Sequence, residues 1–143
     1  MNITQITKIV VSEIKLSEIQ AKIFLLVVIN VKMKTSQISN DLNISLDEAT
    51  QNSKKLMELG GFIDMPNEEF EAMHPRFTAV NMYRKMCERE QREFKKNLDV
   101  DNIGVALEVP YDDARTKYNK KSEKLLVNLM HLQENLRVIL ERL

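Results

Sequence analysis

The sequence is poor in the residues that punctuate and cross-link a chain: among 143 residues there are three glycines, three prolines, one cysteine and no tryptophan. So few turn-formers disfavour sandwiches, barrels and Rossmann-like folds, all of which depend on frequent tight turns. The lone Cys87 excludes an internal disulfide framework, and with two separated histidines it cannot build a Cys/His zinc site. There is also no excess of either charge, since 21 Lys and Arg balance 21 Asp and Glu. Overall basicity therefore cannot drive nucleic-acid binding, and any such binding rests on a local patch. Long apolar runs are missing too. The most apolar one, Ile23 to Ile29, is bounded by Lys22 and Asn30 and falls short of the roughly 20 residues a membrane span needs. The opening MNITQITKIVVSEIK lacks a basic region followed by a long apolar core, so no export signal is expected. The reading is a cytoplasmic protein with no membrane contact, no cofactor and no metal.

What is present is helical periodicity. Ile6, Ile9, Val10 and Glu13 predict a short helix over Ile3 to Ile14, with a hinge near Lys15 and Leu16. Ser17 is placed to cap a second, buried helix carrying Ile19, Ile23, Leu26, Val27 and Val31. Two helical stretches follow, separated at Asn43. Thr35 or Ser36 is the expected cap of the first, which carries Ile38 and Leu42. Ser45 is the expected cap of the second, with Glu48 completing a capping box. The second buries Ala49, Ser53, Leu56 and Leu59 and stops at Gly60-Gly61, where a left-handed residue is accommodated. Two helices joined this tightly form a helix-turn-helix. Beyond Gly61, FIDM and FEAM flank PNEE and predict a hairpin, the wing of a winged helix; a generic helical bundle with an incidental hairpin is the alternative.

Pro75 opens a long helical text running to Leu98, with Phe77, Val80, Tyr83, Cys87, Glu90 and Phe94 at helical spacing. Gly104 and Pro110 interrupt Asp99 to Pro110, which is left as a connector of undetermined shape. In the last segment Leu125, Leu129, Leu132, Leu136, Ile139 and Leu143 recur at alternating steps of four and three, a heptad seam. A helical hairpin with the Pro75 helix, a homodimeric coiled coil, or both together would cover it. The expected architecture is thus mainly α with a small β-hairpin wing: a winged helix-turn-helix with its N-terminal helix over 1–74, and long C-terminal helices over 75–143 for extension and dimerisation.

These segments resemble the TrmB-like winged-helix regulators of archaea. Leu16, Ser17, Glu18, Ala21 and Lys22 match that family's pattern at the start of the helix preceding the helix-turn-helix. Phe70, Ala72 and Pro75 match its passage from the second wing strand into the next helix. The likeness covers roughly residues 14 to 77 and implies a DNA-binding transcription regulator that dimerises, often through C-terminal helices.

Charge along the chain divides the functional reading. Between Thr35 and Met73 there are two basic residues, Lys54 and Lys55, and eight acidic ones, a net of −6. The presumed recognition helix shows Asp47, Glu48, Thr50, Gln51 and Lys54 outward and no arginine, although arginine to guanine is the commonest specific contact. Residues 74–98 carry the compensation at +4. One reading is double-stranded DNA contacted by Thr35, Ser36, Gln37, Ser45, Thr50, Gln51 and Lys54, with Lys32, Lys34 and the basic helix on phosphates. The other is an acidic winged-helix adaptor that docks a basic protein partner without touching DNA through this helix. No enzymatic constellation is evident: His74 and His131 have no partner in sequence, and Glu68-Glu69 has no second acidic cluster to complete a metal site. Cys87 reads either as a redox-sensing thiol near Arg84 and Arg89 or as a small buried residue.

Overall fold

The computed structural model describes residues 1–142. It is mainly helical, with a small three-stranded antiparallel sheet and a long C-terminal helix. Helix α1 (Ile3–Ile9) is continued by a π-helical turn (Val10–Ile14) that ends at Lys15 in the left-handed region, φ 66°. Helix α2 (Glu18–Asn30) begins as expected. The Gln20 backbone N–H donates to Ser17 Oγ (3.1 Å), and Gln20 Oε1 accepts from the Ser17 N–H (3.0 Å). It is buried nearly all round, on Ala21, Ile23, Phe24, Leu25, Val27 and Val28, and forms the axis of the core.

At Val31, a β-branched residue held at φ 69°, the chain turns sharply into a third strand absent from the sequence reading, β1 (Lys32–Lys34). Helices α3 (Thr35–Leu42) and α4 (Leu46–Glu58) follow, then β2 (Phe62–Met65) and β3 (Glu69–Ala72). The sheet order is β1-β3-β2, with Met33 opposite Phe70 and Phe62 opposite Ala72. Phe24, Phe62 and Phe70 stack in succession at 6.3 and 6.0 Å between ring centroids, fastening the hairpin to α2.

The end of α3 is a Schellman motif with Asn43 at φ 54° in the place glycine usually takes: Ile44 N–H donates to Ser39 O and Asn43 N–H to Asn40 O. Gly60, at φ 91°, closes α4 in the same way, with Gly61 N–H donating to Leu56 O. Two expected caps differ. Neither Thr35 nor Ser36 caps α3. The cap position is Lys34, whose N–H donates to Gln37 Oε1 (2.9 Å), because β1 carries extended backbone right up to Thr35. Ser45 Oγ does accept from Glu48 N–H (3.1 Å), but the Glu48 side chain does not return the bond, so the capping box is half formed.

Helix α5 (Pro75–Arg89) is shorter than expected. It ends in a Schellman motif with Gln91 at φ 54° and Arg92 N–H donating to Cys87 O, and Phe94 folds back onto Tyr83 at 5.9 Å. Its buried face is Thr78, Ala79, Met82, Met86 and Cys87, while Phe77 is exposed. Cys87 is the buried small residue of the two readings, shielded from solvent.

The presumed connector is helical. Helix α6 (Leu98–Glu141) runs unbroken through Gly104 and Pro110 for 44 residues, about 66 Å at 1.5 Å per residue. Burial of Val100, Ile103, Leu107 and Tyr111 outweighs the poor propensity of both interrupters. The helical hairpin is therefore α5 against the start of α6, and the leucine seam takes no part in it. One continuous apolar core reaches from Ile6 through Ala79 and Met82 to Tyr111.

The Ser53 hydroxyl is fully buried on α4 and has no hydrogen-bond partner among the described residues. Ser53→Ala is expected to stabilise the protein by about 1 kcal/mol, since it removes an unsatisfied buried group and improves helix propensity. Denaturant unfolding checks this, and a loss of stability would reveal a partner for the hydroxyl.

Candidate nucleic-acid interface

The face in question is built by α3, the turn at residues 43–45, and α4. Burial of Ala49, Ser53 and Leu56 against α2 sets the rotation of α4, so that Asp47, Glu48, Gln51, Lys54 and Lys55 stand outward. Of the residues expected to meet DNA, Ser36, Gln37, Ser45, Gln51, Lys34 and Lys54 are exposed and Thr50 is half-buried. Ser45 and Gln37 already serve as helix-start acceptors for Glu48 N–H and Lys34 N–H.

Two residues leave the set. Thr35 is 1% exposed, with its N–H donated to Glu68 O at 3.2 Å, so it joins α3 to the β2–β3 turn and presents nothing to a groove. Lys32 is half-buried and already engaged. Its ammonium lies 3.6 Å from Glu69 Oε1 and 4.7 Å over the Tyr118 ring. The Tyr118 side chain foremost, and the Glu69 carboxylate after it, hold Lys32 above its usual pKa against the opposing effect of burial. Both losses follow from β1, which pairs Lys32 with Glu71 and Lys34 with Glu69 across the sheet.

The acidic residues of this module are distributed unevenly. Glu69 is paired with Lys32 and Glu58 with Lys55 (3.5 Å). Asp47 and Glu48 occupy the first turn of α4, where the helix dipole favours them. Asp41, Asp64 and Glu68 are exposed. A further positive tract lies on α6: Arg115, Lys117, Lys120, Lys121 and Lys124 are all exposed and accompanied by Glu123 alone among acids from 115 to 124. Tyr118, inside this tract, touches Lys32, which brings the start of the basic block beside the sheet.

One cluster has no signature in the sequence. His74 Nε2 lies 3.7 Å from Glu108 Oε1 and 3.9 Å from Asp112 Oδ1, and Arg76 donates to Glu108 Oε2 from Nε (2.9 Å) and Nη2 (2.8 Å). Three side chains with donor atoms within 4.8 Å of one another have the outline of a cation site. The chemistry does not fit one. His74 Nδ1 accepts from Arg76 N–H (3.2 Å) to cap α5, so in the neutral ring the proton sits on Nε2 and faces the carboxylates. A metal would need that lone pair free and would compete with Arg76 for Glu108. The cluster is an ion-pair knot that locks the start of α5 onto α6, reinforced by Tyr111, whose hydroxyl donates to Ala72 O (3.3 Å) and whose ring meets His74 edge-on at 5.4 Å.

Elsewhere, an open groove of about 720 Å³ lies between α1, α2 and α6, walled by Ile3, Val11, Leu25, Leu26, Ile29 and Leu107. At its rim Glu18 and Lys22 pair with each other (3.4 Å) and Thr7 Oγ donates to Ile3 O, leaving apolar surface without a reactive constellation.

Among the described residues, the structure brings the seam residues of α6 together with no other element. Leu125, Leu129, Leu132, Leu136 and Ile139 are between 55 and 58% exposed. Leu143, the last of the expected set, lies outside the described residues. Comparison with protein-family models, with curated proteins and with solved structures finds no match for this chain.

Proposed function

We propose that this chain is a winged-helix transcriptional regulator, non-enzymatic and homodimeric, that holds duplex DNA with α4 and the adjoining hairpin. The observation that carries the reading is the order α2, β1, α3, α4, β2, β3 closed by a sheet of order β1-β3-β2. In such an arrangement the first helix of the pair braces the second, and the hairpin lies next to it as a wing. A groove-reading helix needs one face anchored and the other polar and free. Here Ala49, Ser53 and Leu56 anchor, while Gln51 and Lys54 stand free. The TrmB-like features at Leu16–Lys22 and Phe70–Pro75 point the same way.

Phosphate contacts fall to Lys34 and Lys54, aided by the basic block of α6. The test is a titration of labelled duplex over a series of salt concentrations, with wild type beside Lys34→Ala/Lys54→Ala. Each phosphate contact contributes about −0.9 to the slope of log K against log salt. Removing two is expected to make that slope shallower by about two while leaving the fold intact. Undetectable binding at micromolar protein, even at low salt, would overturn the reading.

A second reading has its own observation. Asp47 and Glu48 stand exposed at the N-terminal turn of α4, the end that enters a groove in helix-turn-helix proteins. An adaptor that uses this acidic end to dock a basic protein surface would fail the duplex titration and bind a lysine-rich polypeptide in a salt-dependent way.

A further inference from the structure

From Asn119 to Glu141 every residue of α6 is exposed except Val138, which is half-buried. At 100° per residue, Leu125, Leu129, Leu132, Leu136 and Ile139 fall within one sector of about 80°. The same sector holds Val100, Ile103, Leu107, Tyr111, Ala114 and Tyr118, the face that α6 packs against its own body. A single stripe thus runs the length of the helix. Its first half is filled by the core, its second half is bare, and Lys121 marks the step between them.

We infer that two copies of this chain cover the bare half by pairing antiparallel about a two-fold axis at Glu134. The inference rests on the homodimer proposed above and adds its orientation. Three features of the segment carry it. With the axis at Glu134, each apolar position of one heptad class meets one of the other: Leu129 meets Ile139 of the second copy, and Leu132 meets Leu136. The flanking leucines then face each other as well, Leu126 against the second copy's Leu140, so that residues 60% and 68% exposed in the single chain are buried together. A parallel pair would instead set Leu126 beside Lys121 and Leu140 beside Asn135, which buries apolar area against polar groups. Finally, the block Arg115 to Lys124 carries five basic residues and one acid. A parallel pair would run two such blocks side by side, whereas the antiparallel pair holds their centres roughly 40 Å apart at 1.5 Å per residue, far beyond the ~10 Å over which salt leaves charges in communication.

The orientation is read by pulsed electron–electron distance measurement on spin-labelled Lys120→Cys, placed on the outer face of the helix, in a Cys87→Ala background. Antiparallel pairing is expected to give a distance of roughly 42 Å between labels, twice fourteen residues at 1.5 Å each. A distance of about 15 Å, the separation of equivalent outward positions on two adjacent parallel helices, would overturn the orientation and leave the dimer standing. No dipolar coupling, together with a scattering mass of 16.7 kDa, would overturn the dimer itself. Should the Cys87→Ala background fail to fold, Lys120→Cys alone gives the same readout, because the Cys87 thiol is buried.

Discussion

The double substitution Leu132→Asp with Leu136→Asp is expected to turn a dimer of twice 16.7 kDa into a monomer of 16.7 kDa, as read by light scattering. Both leucines are more than half exposed and belong neither to the core nor to the residues packed on it, so their replacement leaves the core untouched. In a paired seam they sit at its centre, where each would withdraw apolar area worth about 1.5–3 kcal/mol. Four aspartates per dimer would then lie within a few ångströms of one another. The loss amounts to at least ~6 kcal/mol, about 10⁴-fold in the dissociation constant. Helical content is expected to fall with it. The stretch from Asn119 to Arg142 contains no alanine and is exposed except at half-buried Val138, and a helix in a protein draws most of its stability from packing of its apolar face. Circular dichroism should therefore lose the contribution of this stretch while the melting of the body persists. A variant that stays dimeric would move the contact elsewhere, to the groove bounded by α1 and α2.

Much of the fold was legible where a local cap announces it. Ser17, Ser45 and Gly60 mark helix ends because their side chains, or the lack of one, satisfy backbone groups within four residues. The inner face of α4 was legible for the same local reason, and with it the outward position of Gln51 and Lys54. The parts that were not legible depend on contacts distant in sequence. Strand β1 is three residues long and is entered through Val31, a residue type that signals no turn; only pairing with β3 makes it a strand. Its consequences for the interface, the burial of Thr35 and the engagement of Lys32, were hidden with it. Helix α5 stops at Gln91, which does the work of a glycine without being one. The His74, Glu108 and Asp112 knot joins a helix start to the middle of another helix, and no spacing rule brings them together. The heptad seam was plain in the sequence, but whether α5 covered it depended on where α5 ended and on which stretch of α6 it packed against.

Gly104 offers the sharpest contest between a local rule and a tertiary one. In the interior of a helix, glycine to alanine is expected on propensity to stabilise by about 1 kcal/mol. The structure reverses the sign. A Cβ at Gly104 would lie 2.6 Å from Arg76 Cα and 3.2 Å from Arg76 N, both backbone atoms at the first turn of α5. Neither can swing aside as a side-chain end would. The start of α5 is fixed by the His74 cap on Arg76 N–H, by the Arg76 pair with Glu108, and by Tyr111 holding Ala72 O. Relief must come from moving α5 bodily off α6, which loosens Thr78, Ala79 and Met82 from the core. Overpacking of this kind costs about 1–3 kcal/mol, and the strained knot adds to it. Gly104→Ala is therefore expected to be destabilised by about 2 kcal/mol net, a drop of several degrees in Tm. The measurement belongs in the Leu132→Asp/Leu136→Asp background, where melting does not depend on protein concentration. Thr116→Ala, at an exposed position of the same helix ahead of the stretch that unwinds in that background, serves as the reference in which propensity acts alone and stability should rise slightly. If Gly104→Ala rises with it, α5 and α6 do not approach as closely as Arg76 and Gly104 require.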